Sequence, residues 1–203
     1  SGVLVEGTWR TQVQCHTALE PHACVAHWPA PDELVVHLST QAVHHSAEDL
    51  AQRFGLKREK VRVLAEYIGG GFGAKAVVSL ECIAAIELAR VTGRPVRIAL
   101  DRREELTVGG QRPAQRVALA IAADKEGELL GVTADAHADA GCAVGSTSTI
   151  MLRIMYAKAA KDLSDYDVVN NAPPSKPFRA PGGPPMYWAL EQGVDQAAFD
   201  LGM

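Results

Sequence analysis

The sequence predicts an α+β fold, mixed sheets packed with helices, and three observations predict it. Residues 3–14 and 115–124 alternate apolar and polar side chains in part, the period of half-buried strands. Residues 46–55 and 190–201 instead repeat apolar side chains at three- and four-residue steps, the period of a helix with one buried face. The two kinds of segment follow one another without the regular strand–helix alternation that builds a parallel sheet. Composition agrees. The chain has 203 residues, 47% apolar and 22% charged, enough for a sizeable core in one globular domain, or at most two small ones; residues 1–203 are expected as a single domain. That balance excludes a disordered tail, a collagenous repeat and a transmembrane protein. The net charge is −4, with no basic stripe, and aromatic residues make up 5%, so nucleic acid is not an expected partner.

Taken in order, the elements have local causes. Ser1-Gly2 reads as the remnant of a cleaved tag on a domain cut from a longer polypeptide. Residues 3–14 open as a strand. His22 to Trp28 and Glu33 to Ser39 are strands joined at Pro29, Pro31 and Asp32, which supply turn chemistry. Ser46 is expected to open a short helix, with Ala47, Leu50, Ala51 and Phe54 on one face, Asp49 as capping-box acid and Gly55 as stop. Val61 to Ile68 is a strand, followed by the glycine cluster at residues 69–75 and a largely apolar helix from Val78 to Val91. Gly93 and Pro95 end that helix, and Val96 to Asp101 returns as a strand. Leu129 to Ala140 is another strand; residues 141–160 are poorly patterned. Six prolines from Pro173 to Pro185 crowd around Arg179 and stiffen a loop, because proline fixes φ and removes a donor. A last helix carries Leu190, Val194, Ala197 and Leu201 on one face.

The cluster Gly69-Gly70-Gly71-Phe72-Gly73-Ala74-Lys75 lets a ligand approach the backbone closely. A Walker phosphate loop needs Gly-Lys followed by Ser or Thr; here Ala74 separates Gly73 from Lys75, and Ala76 has no hydroxyl. A nicotinamide-dinucleotide fingerprint fits better: Gly69, Gly71 and Ala74 satisfy G-x-G-x-x-A, and Asp101 stands where a ribose-binding acid would. Against it stand the mid-chain position behind strands of antiparallel character and the bulk of Phe72. A tight turn without a ligand is the third reading. The segment Phe178-Arg179-Ala180-Pro181-Gly182 is a second candidate: an arginine in a stiff loop offers its guanidinium and nearby amides to an anion.

Set in order with other short motifs, these loops form a pattern. Gln14-x-His16-x-x-Leu19-Glu20-x-His22 comes first, then Ser39-Thr40-Gln41, the glycine cluster through Lys75, and Gly93-Arg94-Pro95-Val96. Asp101-Arg102 and Phe178 to Gly182 complete it. From about Val5 to Met203 the chain resembles the molybdenum-binding large subunit of the xanthine dehydrogenase and aldehyde oxidoreductase family, the molybdenum hydroxylases.

The resemblance implies a molybdenum–molybdopterin cofactor, in bacteria commonly the cytosine dinucleotide form, whose own sulfurs hold the metal. It implies that Gln14 hydrogen-bonds near the metal's apical ligand, that the backbone at Gly71, Phe72 and Gly73 covers the metal, and that Arg179 with Ala180 contacts the pterin. It implies hydroxylation of an aldehyde or aromatic heterocycle with water as oxygen source. Electrons would leave through 2Fe-2S centres to FAD on partner subunits or domains, with a homodimer of the complex left open and the cytoplasm as the expected compartment, the periplasm also left open. The family's general-base glutamate is expected beyond Met203, so no catalytic residue is assigned within this chain and the fragment alone is expected to be inactive. Purine-hydroxylating members carry a glutamate where this chain has Ala76, carbon monoxide dehydrogenases a copper-binding cysteine where it has Ala180, and vertebrate-type enzymes a phenylalanine where it has Pro181. Aldehyde or broad heterocycle oxidation remains. The alternatives are a nicotinamide-dinucleotide module using Gly69 to Ala74 and Asp101, and a cofactor-free interaction domain.

Other residues have plainer expectations. His16, Glu20, His22 and Cys24 would share a face of one continuous strand, as a metal set or, more simply, as polar residues pairing within a sheet. His44 and His45 should be solvated before a helix, and Glu104 and Glu105 should be a surface charge run behind Arg102 and Arg103. Trp9, Trp28 and Trp188 are expected as core or interface anchors. Cys15, Cys24, Cys82 and Cys142 lack the close-set pairs of a zinc or iron–sulfur site and are expected reduced.

Overall fold

The computed structural model describes residues 2–145 and 148–203. Ser1 of the supposed tag remnant, and residues 146 and 147 of the poorly patterned stretch, lie outside the described residues. In chain order the elements are β1 (Val3–Thr11), β2 (Gln14–Cys15), β3 (Ala23–Ala30), β4 (Glu33–Leu38), α1 (Val43–Phe54), a 3-10 turn (Arg58–Lys60) and β5 (Val61–Leu64). They continue with α2 (Leu80–Thr92), β6 (Val96–Ala99), α3 (Arg102–Val108), β7 (Gln111–Arg112), β8 (Gln115–Ala123) and β9 (Leu129–Gly141). A 3-10 turn (Ser148–Arg153), β10 (Ala160–Val169) and α4 (Gly183–Leu201) complete them. The mixture of helices with two four-stranded sheets is the expected α+β class. The chain forms two compact units: Ser1–Gln14 with Gln111–Met203, and Cys15–Gly110.

The unit Cys15–Gly110 holds a sheet of order β5-β4-β3-β6. The β3–β4 hairpin forms at the expected turn, β5 runs parallel to β4, and β6 runs antiparallel to β3. Alternation sends Cys24, Ala26, Leu34, Val36, Val61 and Val63 to one face, where they meet Leu50 of α1 and Ile86 of α2 in a closed core. Gly55 and Gly93 end the two helices as foreseen, at φ +65° and +63°. Helix α1 starts at Val43 rather than Ser46, because the Thr40 hydroxyl accepts the Ala42 amide and meets the buried Ser46 hydroxyl at 3.1 Å, closing an earlier turn. His44 and His45 are exposed as expected, but within the helix. Strand β5 stops at Leu64, four residues short of Ile68, since β4 ends at Leu38 and its last pair is His37 with Leu64. Asp101 is not the end of a strand. It caps α3, accepting the Glu104 amide at 2.7 Å while the Glu104 carboxylate accepts the Asp101 amide at 2.8 Å.

The unit Ser1–Gln14 with Gln111–Met203 holds a sheet of order β1-β8-β9-β10, antiparallel except for the β9–β10 pair. Val117, Leu119 and Ile121 of β8 and Val132, Ala134 and Ala136 of β9 pack beneath Met186, Ala189 and Leu190 of α4. Pro184 and Pro185 open α4, where missing amides cost nothing. Strand β10 was not foreseen. It is an edge strand rich in Lys161, Asp162, Asp165 and Asp167, and only part of one face is covered.

Trp28 is an anchor as expected: its indole donates to the Ile86 carbonyl at 3.1 Å and its ring meets Phe54 edge-on. Trp9 packs against the β8–β9 core, whereas Trp188 is exposed. The four cysteines are free, with Cys24 and Cys82 buried.

Candidate functional site

In the unit Cys15–Gly110 the loop between β5 and α2 is held from beneath by buried charge. Lys75 is 1% exposed, and its ammonium donates to the Glu20 carbonyl at 2.6 Å and to Glu20 Oε2 at 3.2 Å. Glu20 Oε2 also accepts the Gly69 amide at 2.7 Å, and Gln41 Oε1 accepts the Gly73 amide at 2.8 Å. The Lys75 carbonyl accepts from the Gln41 amide and the Thr40 hydroxyl at 3.0 and 3.1 Å. Burial would raise the Glu20 pKa, but the Gly69 amide and the Lys75 ammonium outweigh it and hold the carboxyl below its ordinary value.

A second buried pair braces the loop. Both Glu105 oxygens lie 2.9–3.0 Å from His22 Nδ1, Oε2 also accepts the His22 amide at 2.9 Å, and His22 Nε2 lies 3.3 Å from the Ala74 carbonyl. Burial pushes the Glu105 pKa up, but the His22 bonds and the Lys75 charge pull it further down. Glu105 is therefore not part of a surface charge run: α3 turns it inward to a site 5% exposed, while Glu104 closes the capping box.

Above this support, the backbone takes an unusual course. Gly70, Phe72 and Gly73 have φ of +98°, +53° and +110°. A side chain on Gly71 would place its Cβ 2.5 Å from Gln41 Oε1 and displace the acceptor of the Gly73 amide. Phe72 bears the cost of left-handed backbone without being glycine, and the residue is 46% exposed. The amides of Gly70, Gly71 and Phe72 donate to no group among the described residues. Consecutive free amides on such a backbone form an anion-accepting concavity.

The second loop belongs to the other unit. Arg112, 4% exposed, donates to the Arg179 carbonyl at 2.8 Å and the Ala180 carbonyl at 3.3 Å, and its guanidinium lies 4.7 Å from the Phe178 ring centre. Among the described residues no carboxylate pairs with it, its Nε has no partner, and burial lowers its pKa. The loop is tied further by the Lys176 amide on the Gln111 carbonyl and the Gly183 amide on the Ala180 carbonyl. Arg179 and Ala180 are exposed, and Ala180 has φ +60°. Gln14 is exposed and its side chain makes no hydrogen bond among the described residues.

Two expectations fall. The dinucleotide fingerprint needs neighbouring parallel strands around its helix, but β5 and β6 stand at opposite edges of their sheet, and the Asp101 carboxylate is spent on its helix cap. The His16, Glu20, His22 and Cys24 set is not one strand face. Residues 16–22 are not strand; Glu20 turns to Lys75, His22 to Glu105, and Cys24 enters the core. Among the described residues no group of three or more His, Cys, Asp or Glu could hold a metal ion.

Each unit by itself offers donors suited to an anion. In the unit Cys15–Gly110 these are the free amides at Gly70–Phe72; in the unit Ser1–Gln14 with Gln111–Met203 they are the exposed Arg179 and, among the described residues, the unneutralised Arg112. Sequence reasoning singled out the two loops but gave no role to Lys75, Gln41 or Glu105, and did not single out Arg112. The D-x-x-E at Asp101–Glu104 was the legible signal for α3; a lone arginine in Gly-Gln-Arg-Pro carries none.

Comparison with known proteins accords with this chemistry. The chain is 31% identical over 206 residues to the aldehyde oxidoreductase molybdenum-binding subunit of Escherichia coli K12, spanning 100% of this chain and 28% of that protein. It is 30% identical over 207 residues to the nicotinate dehydrogenase large molybdopterin subunit of Eubacterium barkeri, spanning 99% and 48%. The structure of aldehyde oxidoreductase from Desulfovibrio gigas superposes with a TM-score of 0.84 at 27% identity, over 99% of this chain and 23% of that one. The chain thus spans between about a quarter and a half of the length of these relatives. The family model described as the molybdopterin cofactor-binding domain matches residues 1–203, and the chain belongs to that family.

Proposed function

We propose that the full-length protein containing this chain is a molybdenum hydroxylase of aldehydes or aromatic heterocycles, and that residues 1–203 act together as one cofactor-binding domain. The carrying observation is the positive-φ backbone at Gly70, Phe72 and Gly73, with the three successive amides of Gly70, Gly71 and Phe72 free of acceptors among the described residues. In the unit Cys15–Gly110, Gly71 and Phe72 present two of those amides and Gly73, whose amide is held by Gln41, fixes the loop's course; in the unit Ser1–Gln14 with Gln111–Met203, Gln14, Arg179 and Ala180 are the proposed cofactor contacts. When bound, molybdopterin supplies the metal centre at which a substrate carbon is oxidised with water as oxygen source. This chain's own share is to bind and orient. Its amides and Arg179 balance the cofactor's negative charge, and the Lys75–Glu20 pair holds the loop in shape so that little ordering cost remains on binding. Proton abstraction is assigned to a glutamate beyond Met203.

The cytosine dinucleotide form of the cofactor, and 2Fe-2S and FAD partners, are part of the same proposal. A relative named as a molybdenum-binding subunit supports partner subunits for this protein too. Ala76 offers no carboxylate to a purine ring, and Ala180 offers no thiol to copper. Among the described residues no helix is long and apolar enough to cross a membrane.

The test is turnover in ¹⁸O-labelled water by the full-length protein copurified with its partners, against a panel of aldehydes and N-heterocycles. Label in the carboxylate or hydroxylated product is expected. Product oxygen derived from O₂, or no turnover by molybdenum-loaded protein, contradicts the proposal.

A further inference from the structure

We infer that Arg112 is a positioning residue that sets the shape of the Arg179–Ala180 turn for the cofactor; this rests on the function proposed above. The guanidinium gathers two successive carbonyls, those of Arg179 and Ala180, at 2.8 and 3.3 Å. Successive carbonyls converge on one cation only where the residue between them is helical in backbone, and Ala180 does this in the left-handed form, at φ +60°. That conformation is unfavourable for alanine and needs an outside partner to hold it. Arg112 is that partner, itself fixed by stacking on Phe178 at 4.7 Å.

The charge has a second consequence. An arginine 4% exposed and, among the described residues, without a carboxylate partner is costly by itself, and burial alone drives its pKa down. Two neutral carbonyls and a ring face compensate it only in part. A polyanion seated at the same turn completes the balance, so the turn is made for negative charge even where Arg179 itself is free to swing. Lysine cannot replace Arg112. Its single ammonium lacks the planar fork that reaches both carbonyls and the flat face that stacks on Phe178.

The experiment uses the full-length protein purified with its partners, as wild type, Arg112→Gln, Arg112→Lys, and Arg112→Gln combined with Ala180→Gly. Two readouts are taken. Hydrogen exchange at the Gly183 amide, which donates to the Ala180 carbonyl at 3.0 Å, reports the turn without any cofactor. Molybdenum and released pterin per chain report loading. Arg112→Gln and Arg112→Lys should both speed exchange at Gly183 and lower loading about tenfold, the scale of losing charge-assisted bonds. Ala180→Gly should recover much of the loading in the Arg112→Gln background, because glycine adopts the left-handed form unaided. A merely structural arginine would not be rescued by that change. Unchanged Gly183 exchange in Arg112→Gln overturns the inference, and so does a loading loss that Ala180→Gly leaves intact. Absence of molybdenum and pterin from the wild type would overturn the proposed function instead, and Gly183 exchange would then decide the positioning role alone.

Discussion

Replacing Lys75 with methionine keeps the length of the side chain and removes its charge from beneath the glycine loop. The ammonium is buried and makes two hydrogen bonds, to the Glu20 carbonyl at 2.6 Å and to its carboxylate at 3.2 Å. Breaking a fully buried pair costs about 3–5 kcal/mol. Here the Glu20 side chain is 31% exposed and keeps the Gly69 amide, so its stranded charge is partly solvated and the cost falls to about 2 kcal/mol. Because Lys75 holds the loop locally, the loss should appear as easier opening of residues 69–76. Two kcal/mol corresponds to about thirtyfold faster exchange of the Gly69, Gly73, Ala74 and Ala76 amides. Hydrogen exchange on full-length Lys75→Met protein measures this, with the β3–β4 amides as an internal control that should not change. Exchange within about twofold of wild type at those four amides would refute the claim that the buried charge shapes the loop.

Three further outcomes follow from the same geometry. Glu20 and Glu105 both titrate below their ordinary value of 4.5, so their stabilisation is complete above that value and is lost as pH falls through their lowered values. Melting temperature should therefore hold level from pH 6 to 5 and fall below about pH 4, and Glu105→Gln should make that acid limb shallower. Gly141→Ala should lower stability by more than about 2 kcal/mol, since φ is +64° and the added Cβ would run into the Pro173 carbonyl, whereas Gly55→Ala, at φ +65° with nothing within 4 Å, should cost only about 1 kcal/mol. Asp101→Ala removes one half of the α3 capping box and should cost about 1 kcal/mol, with faster exchange of the Glu104 amide; an unchanged rate would deny the cap.

Much of the fold was legible because its strands are half-buried. In β8, Val117, Leu119 and Ile121 face the core while alanines and Arg116 face outward, and that alternation is written directly in residues 115–124. The β3–β4 hairpin was legible from its prolines, and the helix ends from Gly55 and Gly93. Boundaries were lost where a partner decides them: β5 ends where β4 stops pairing, and α1 begins where the Thr40 hydroxyl waits. Strand β10 was illegible because pairing with β9, not burial, makes it a strand. The candidate site was readable as two loops, since glycine and proline mark themselves. What holds those loops was not. Lys75, Glu105 and Arg112 are charged residues buried by contacts 55, 83 and 67 positions away in sequence, and no local pattern announces such pairings.

The most direct test of the central claim is the molybdenum and pterin content of the full-length protein, purified with its partners, beside its Arg179→Ala variant. Roughly one molybdenum and one pterin per chain in the wild type, with both lost in the variant, is the predicted result. A wild-type protein free of both, from cells that load a control molybdoenzyme normally, would contradict the account, and so would full loading of Arg179→Ala.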